Sequence, residues 1–206
     1  MEKVVREHYC NEAKKYGDSS KSTMDDEIVR ERELQMISNF LKLKGKHPKK
    51  VLDLGCGNGY CLERMSKEHP KNQYYGLDFS KELIDIAKKR DISCKFLYGD
   101  VIGMEFEENS FDIVYTERCL INIFDWNKQK KALKEIHRVL KPQGHYLMIE
   151  CFTDGLENNN RARKECGLSE LKSLPFNKYF DKGLFLQGIQ DFFTVKDLKD
   201  FPNNFL

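Results

Sequence analysis

Three glycines at alternate positions, directly after an apolar run, constrain the fold of this chain more than any other feature of its sequence. The stretch reads Val51-Leu52-Asp53-Leu54-Gly55-Cys56-Gly57-Asn58-Gly59. Glycine lets the backbone turn sharply and approach a ligand where a Cβ atom would clash. A helix that begins here offers free N–H groups and the positive end of its dipole to that ligand. The sequence therefore predicts a strand, a ligand-binding turn and a helix, in that order.

Dinucleotide-binding proteins use a similar turn, and the glycine spacing argues against that alternative. A pyrophosphate-binding turn needs G-x-G-x-x-G. Here the third glycine, Gly59, comes one residue early, and Tyr60 stands in its place. The carboxylate of Asp53, two residues before the first glycine, would be repelled by a pyrophosphate and attracted by an ammonium group. The turn therefore argues against a pyrophosphate and favours a ligand that carries an ammonium group.

From residue 50 onward, short apolar runs alternate with amphipathic segments, which is typical of a mostly parallel sheet covered by helices. The predicted strands are residues 50–54, 73–77, 93–98, 111–116 and 145–151, and the predicted helices between them are 60–68, 80–89 and 127–140. On the last helix, Leu133, Ile136 and Leu140 recur at spacings of three and four and form one apolar face.

The segments on either side of this core carry weaker patterns. Residues 25–43 are predicted to form a helix, and residues 8–24 to be irregular. Residues 152–180 show weak periodicity, and because long irregular segments are usually functional or disordered, they are predicted to cover the substrate. A short helix at 182–189 and a strand at 191–201 are predicted to follow.

Four more stretches follow the glycine turn at regular intervals, each at the end of a predicted strand or between a helix and a strand. They are Tyr75-Gly76-Leu77-Asp78-Phe79-Ser80, Tyr98-Gly99-Asp100-Val101, Phe111-Asp112-Ile113-Val114-Tyr115 and Arg138-Val139-Leu140-Lys141-Pro142-Gln143-Gly144. In this order the five stretches, over about residues 50–150, resemble the motifs of class I S-adenosylmethionine-dependent methyltransferases. The resemblance implies a three-layer α/β/α sandwich with a Rossmann-like, mostly parallel sheet, an N-terminal helical cap and S-adenosylmethionine as the methyl donor.

The resemblance also implies which residues hold the donor. In the family, the acid at Asp78 binds the ribose hydroxyls and the acid at Asp100 meets the adenine amino group. The predicted donor-binding residues are Tyr16, Asp53, Gly55, Cys56, Gly57, Gly59, Asp78, Phe79, Asp100, Val101 and Glu117. The carboxyl edge of an open α/β sheet is where such folds bind ligands. An aspartate after a strand is also a common turn former or helix cap, and that alternative stays open.

The turn after the fourth strand bears on the acceptor. Enzymes that methylate amino groups of nucleic acid and glutamine carry an Asn/Asp-Pro-Pro-aromatic turn here, whereas this chain has Thr116-Glu117-Arg118-Cys119. Such chemistry is therefore disfavoured. A hydroxyl acceptor needs a base, and the predicted catalytic residues are Glu117, Glu150 and Asp154, with no metal ion. Asn122 either lines this region or caps the next helix.

Composition limits the partners and the location. The net charge of +2 gives no concentrated basic footprint for nucleic acid. No apolar run approaches the about 18 residues that a membrane-spanning helix needs. Seven cysteines, an odd number without a C-x-x-C pair, are typical of free thiols in a reducing compartment. A cytoplasmic protein without membrane contact is predicted.

The sequence is interpreted as a single domain over residues 1–206. Residues 1–48 form the cap, 49–151 the donor-binding core, and 152–206 the acceptor loop and last strand region. The predicted activity is methylation of a small molecule, at oxygen. Two alternatives are a methyltransferase acting on RNA or protein and a non-catalytic donor-binding subunit. The resemblance to class I methyltransferases implies a sixth and a seventh strand after the fifth, and the residues after 201 are too few for the seventh. A shortened chain, or self-association through an open sheet edge, is therefore also predicted.

Overall fold

A computed structural model describes residues 2–44 and 47–199. The strands are β1 (Lys50–Leu54), β2 (Gln73–Asp78), β3 (Cys94–Tyr98), β4 (Phe111–Glu117) and β5 (Leu140–Ile149). The helices are α1 (Glu2–Tyr16), α2 (Glu27–Lys44), α3 (Tyr60–Glu68), α4 (Lys81–Ala87), α5 (Trp126–Val139), α6 (Thr153–Glu165) and α7 (Lys182–Ile189). In this part of the chain no helix is long and apolar enough to cross a bilayer.

All five strands form one parallel sheet in the order β3-β2-β1-β4-β5. The carboxyl ends of the strands therefore meet at one edge, where open α/β folds bind ligands. β5 starts irregularly, because Phe111 faces Leu140 whereas Ile113 faces His145, so residues 141–144 bulge out of register. The predicted mostly parallel α/β sheet is confirmed.

The core consists of two clusters, one on each face of the sheet. On one face the helices α5 and α7 bury Leu133, Ile136 and Phe185 against the strands. On the other face α2 and α3 bury Ile37 and Met65. Burial of apolar side chains from both faces of one sheet produces the three-layer arrangement that the alternating sequence pattern predicts.

The N-terminal segment departs from its prediction. Residues 8–24 were expected to be irregular, whereas α1 is helical from Glu2 to Tyr16 and packs alongside α4. Val5, Tyr9 and Ala13 follow each other at spacings of four, and Val5 and Ala13 are buried. This stripe is short and interrupted by charged residues, so its period is masked by the high overall polarity of the segment.

The segments after β5 also differ from their predictions. Residues 152–180 contain the helix α6, none of whose side chains is buried, and only the part after residue 165 is irregular. The strand predicted at 191–201 is wrong as far as residue 199, because Phe192 and Phe193 pack against His137 and Tyr146 and the backbone joins no sheet. The last two residues of that prediction lie outside the described residues. Within the described ranges no strand pairs with the outer edge of β5.

Candidate functional site

A cavity lies at the carboxyl edge of the sheet, above the turn after β1. It has a volume of about 50 Å³. Its walls come from the glycine turn, the ends of β2 and β4, and the two N-terminal helices. The lining residues are Tyr9, Thr23, Arg30, Asp53, Gly55, Cys56, Gly57, Asn58, Tyr60, Cys61, Asp78, Phe79, Leu83, Glu117, Arg118, Cys119 and Asn122.

Gly55 and Gly57 shape the floor of the cavity. Their φ angles are +76° and +53°, a region that residues with a Cβ atom rarely adopt. A Cβ on Gly55 would lie 2.8 Å from Cβ and Sγ of Cys119, and one on Gly57 would lie 2.6 Å from Cγ2 of Thr23. Both positions therefore need glycine for the backbone conformation and for the close approach of neighbouring segments.

Asp78, the last residue of β2, fixes the turn from below. Its Oδ2 accepts a hydrogen bond from the amide of Gly57 at 2.8 Å, and its Oδ1 accepts one from the amide of Ser80 at 2.8 Å. Burial raises the pKa of this carboxyl to about 6, although the amides favour the charged form. The carboxylate is thus held rigidly at the junction of β1 and β2, with both oxygens oriented by the backbone.

Asp53 is the second carboxyl under the turn. It is 2% exposed, and its Oδ2 accepts a hydrogen bond from the hydroxyl of Tyr115 at 3.0 Å. Burial raises its pKa well above the usual value, and the nearby carboxylates of Glu117 and Asp78 raise it further. A cation bound in the cavity would favour the ionised form of this acid.

Two arginines and two glutamates form a buried charge cluster at the end of β4. Arg30 of α2 contacts Glu117 at 2.6 Å, and Arg118 contacts Glu33 at 2.8 Å. The side chains of Arg30 and Glu117 are each 7% exposed. Burial raises the pKa of Glu33 to about 9 despite its guanidinium neighbour. Nε of Arg30, a cavity residue, has no hydrogen-bond acceptor among the described residues.

The helix α1 closes the cavity from above. The guanidinium of Arg6 lies over the ring of Phe79 at 5.0 Å and donates to the carbonyl of that residue at 3.0 Å. The ring of Tyr9 packs edge-on against Phe79, with centroids 6.0 Å apart. Asn58 of the glycine turn donates to the carbonyls of Gly17 and Ser19 at 2.9 and 2.8 Å. The cover is thus bound to the floor by directional contacts.

Asn122 follows β4 in a short 3-10 turn and takes part in this closure. Its Nδ2 donates to the hydroxyl of Tyr9 at 3.2 Å. It does not cap α5, because Asp125 occupies that position and accepts from the amide of Lys128. Of the two readings left open by the sequence, the contact with the cavity is the one observed.

Glu150 lies just after β5 and supports the cavity wall from outside. Its carboxylate accepts hydrogen bonds from the amides of Cys119, Leu120 and Ile121 at 3.0, 2.9 and 3.2 Å. Burial raises its pKa to about 7, although the three amides favour the charged form. In this position the carboxylate holds the turn that carries Cys119 and Asn122, and it does not line the cavity.

The cavity brings together seven of the eleven residues predicted to bind the donor. Asp53, Gly55, Cys56, Gly57, Asp78, Phe79 and Glu117 line it. Tyr16, Gly59, Asp100, Val101, Glu150 and Asp154 are not among its lining residues. Tyr16 lies beside Lys15, whose Nζ is 4.5 Å from its ring centroid, and Asp154 pairs with Lys182 at 3.5 Å. A Cβ on Gly59 would contact the ring of Phe96, so this glycine serves helix packing.

Several lining residues were not assigned to the site from the sequence. Thr23, Asn58, Tyr60, Cys61 and Cys119 are examples. Asn58 and Cys61 adjoin the glycine motif, and proximity to it was a usable signal. Thr23 had no such signal, because its contact with Gly57 depends on how the N-terminal segment folds back over the sheet.

Two families match parts of the chain. The family described as "Methyltransferase domain" matches residues 51–144. The family described as "Protein-L-isoaspartate(D-aspartate) O-methyltransferase" matches residues 1–95. The first match covers β1 from Val51, all of β2, β3 and β4, and the first half of β5, and the second ends inside β3.

Individual proteins are similar to this chain in sequence or in fold. A demethylmenaquinone methyltransferase from Staphylococcus aureus is 37% identical over 105 residues, which are 49% of this chain and 42% of that protein. The chain thus spans less than half the length of this curated relative. PH0226 protein from Pyrococcus horikoshii OT3 has a similar fold, with a TM-score of 0.69 and 23% identity, over 87% of this chain and 88% of that one. A SAM-dependent methyltransferase from Methanosarcina mazei gives a TM-score of 0.59 and 19% identity, over 74% and 82%.

Proposed function

The chain belongs to the class I S-adenosylmethionine-dependent methyltransferases, and we propose that it transfers the donor's methyl group to an oxygen of a small molecule. One observation carries the proposal. A glycine turn in which a Cβ atom would clash lies directly above a buried aspartate at the end of the neighbouring parallel strand. This arrangement suits a ligand that presses its ribose against the turn and offers hydroxyl groups to Asp78.

The charges of the cavity match those of the donor. Its lining contains three carboxyl groups, Asp53, Asp78 and Glu117, and two guanidinium groups, Arg30 and Arg118. S-adenosylmethionine carries a sulfonium, an ammonium and a carboxylate, so its net charge is opposite in sign to that of the fully ionised cavity. Asp53 would face the ammonium group, and the unpaired Nε of Arg30 would face the carboxylate. The residue types therefore fit the donor.

The volume requires a movement. Pockets for ligands of this size usually enclose about 300–1,000 Å³, whereas this cavity has about 50 Å³. The contacts of Arg6 and Tyr9 with Phe79, and those of Asn58 with the turn at Gly17, are what hold it closed. We therefore propose that α1 acts as a lid, which opens for the donor and closes again over both substrates.

The chemistry asked of the chain is mainly positioning. The donor supplies an activated methyl carbon. In the reaction the carbon–sulfur bond breaks and its electron pair stays on the sulfur of the leaving thioether, a bond from carbon to the acceptor oxygen forms, and the hydroxyl proton passes to a base, for which the cavity offers the carboxylate of Glu117. Holding the two reactants in line contributes up to about 7–11 kcal/mol to such reactions. Exclusion of water by the lid and orientation by the buried charge cluster are the contributions that these side chains can make.

The proposed small-molecule acceptor is inferred from the relatives and from the charge of the chain. The demethylmenaquinone methyltransferase acts, by its name, on a small molecule, and the balanced charge of this chain fits such an acceptor. The O-methyltransferase family match favours oxygen, but it covers residues 1–95 and so leaves out the segments after β4. A protein acceptor is the second candidate. A cytoplasmic location and self-association through the free edge of β5 stay proposals.

Donor binding tests the proposed function. Calorimetry with S-adenosylhomocysteine should show saturable binding, and Asp78→Ala should weaken it by at least about tenfold, equivalent to about 1.4 kcal/mol. NAD should give no heat under the same conditions. Asp112→Ala provides a matched control, because this aspartate lies at the opposite end of β4, where it pairs with Lys141. Unchanged affinity in Asp78→Ala would contradict the assignment, and absence of any binding would contradict the proposed function.

A further inference from the structure

Two polar groups inside the cavity have unused hydrogen-bonding capacity. Nδ2 of Asn122 donates to the hydroxyl of Tyr9 at 3.2 Å and to the carbonyl of Arg118 at 3.0 Å. Oδ1 of Asn122 is buried and accepts from no donor within the described ranges. A buried acceptor without a partner costs about 1–3 kcal/mol. Its presence in the wall of a cavity indicates that a bound molecule supplies the missing donor.

The orientation of the amide follows from its surroundings. The carbonyl of Arg118 can only accept a hydrogen bond, so the nitrogen of Asn122 must face it and the oxygen must face away. The hydroxyl of Tyr9 accepts from that same nitrogen, and its own proton has no acceptor in the part of the chain that the structure describes. Burial raises the pKa of Tyr9 to about 12, so this proton is retained at neutral pH.

We propose that Tyr9 and Asn122 together bind a neutral hydroxyl group of the methyl acceptor. The hydroxyl oxygen accepts from Tyr9, and its hydrogen is donated to Oδ1 of Asn122. Of the oxygen groups that the proposed function allows, a hydroxyl satisfies both residues at once. A carboxylate has no hydrogen to donate, and a methyl ether lacks one as well. This inference rests on the proposed function and specifies its substrate class.

The position of the pair assigns it to the acceptor. Asn122 lies beyond the end of β4. In the sheet β4 is the neighbour of β1, the strand that leads into the glycine turn. Tyr9 turns one side of its ring to Phe79, a donor-side residue. Its neighbour His8 stacks on Phe176 of the segment after α6, with centroids 4.3 Å apart. Rings thus flank the hydrogen-bonding pair, which fits a hydroxyl carried by a planar aromatic ring.

Two probes with the same ring test this inference. Protein saturated with S-adenosylhomocysteine is titrated with 2-naphthol and with 2-methoxynaphthalene. The naphthol should bind at least about tenfold more tightly, because only the naphthol can donate to Asn122. Asn122→Leu should remove this difference. Tyr9→Phe keeps the ring and the bond between Asn122 and Arg118 but removes the donor to the probe oxygen. Both probe oxygens can accept from Tyr9, so this variant should weaken both probes about fivefold and leave the difference between them. It serves even if Asn122→Leu does not fold.

A matched control is Tyr98→Phe, which removes the hydroxyl of an exposed tyrosine outside the cavity and should preserve the difference between the probes. Equal affinity of the two probes for the unaltered protein would overturn the inference, as would failure of naphthol to bind. Discrimination that survives in Asn122→Leu, or full affinity for both probes in Tyr9→Phe, would overturn the inference, and weakened binding of S-adenosylhomocysteine in these variants would assign the pair to the donor instead. Failure of S-adenosylhomocysteine itself to bind would overturn the proposed function, and the inference with it.

Discussion

The two halves of the carboxyl edge are organised by different kinds of contact. In the half after β1 and β2, the amide of Gly57 donates to the carboxylate of Asp78, and each strand leads within a few residues into its own helix. In the half after β4 and β5, side chains meet from far apart in the chain. Arg30 binds Glu117, 87 residues away, and Asn122 binds Tyr9, 113 residues away. The first half depends on the backbone of a tight turn, whereas the second is an assembly of side chains from separate elements.

This difference predicts how the halves respond to substitution. The half after β1 and β2 should tolerate side-chain changes around the turn but not a change of its backbone conformation. The half after β4 and β5 should be sensitive to the loss of single buried charges, because each of them is compensated by a partner from another element. Three variants test this contrast.

The largest effect is expected for Arg30→Met. Removal of the guanidinium leaves Glu117 buried without its closest partner, and such changes usually cost about 3–5 kcal/mol. Urea unfolding should show this loss. Arg161→Met, on the exposed side of α6, serves as the matched control and should change stability by less than about 0.5 kcal/mol. A loss below about 1 kcal/mol for Arg30→Met would mean that the half after β4 and β5 does not depend on its buried charges.

A smaller effect, about 2 kcal/mol or roughly 30-fold in the dissociation constant of S-adenosylhomocysteine, is expected for Gly55→Ala. An alanine at this position would have to adopt a φ of +76°, and its Cβ would lie 2.8 Å from the Cβ of Cys119. The control is Gly103→Ala, since a Cβ there meets no atom within 4 Å. The double variant Gly55→Ala/Cys119→Gly should recover only the steric part. Full recovery of the affinity would show that an alanine adopts the φ of +76° at position 55 at little cost.

The smallest effect concerns pH. Burial raises the pKa of Glu150 to about 7 and that of Asp78 to about 6, so the folded state holds these protons more tightly than the unfolded chain does. The stability that these groups contribute is present below their unfolded pKa values and is lost as the pH rises through 6 and 7. In Glu150→Gln, the fall in the free energy of unfolding between pH 5 and pH 8 should be smaller by about 1–3 kcal/mol.

The control for this experiment is Glu135→Gln. The pKa of Glu135 is lowered, chiefly by the hydrogen bond from Arg138, so its contribution has the opposite sign and is lost as the pH falls. Because its pKa is lowered, Glu135 is ionised in the folded and the unfolded state between pH 5 and pH 8, so Glu135→Gln should leave the fall over this range unchanged. An unchanged pH profile in Glu150→Gln would mean that the three amides already keep Glu150 ionised well below pH 7. The stability of the half after β4 and β5 would then not depend on the titration of Glu150.

Sequence reasoning was most successful where the signal is local. Five of the six predicted strands exist. The strands β1, β2 and β4 are short apolar runs buried between two layers of helices, whereas β3 forms a more exposed edge of the sheet. Gly55, Gly57 and Asp78 were identified because a tight turn and a strand end impose strict residue requirements on adjacent positions. The helix α1 was missed because its apolar stripe of Val5, Tyr9 and Ala13 has meaning only when α4 is present to cover it.

The sequence by itself determined the alternation of strands and helices from β1 to β5, the parallel sheet and the tight glycine turn after β1, because residue periodicity and glycine placement act within a few positions of the chain. The tertiary structure alone decided that Tyr9 meets Asn122, that Arg30 neutralises Glu117, and that Glu150 supports a turn instead of facing the cavity. The physical reason is that burial and charge pairing depend on which distant segments come into contact, and a carboxylate has the same chemistry in the sequence whether it ends beside three amides or in open solvent.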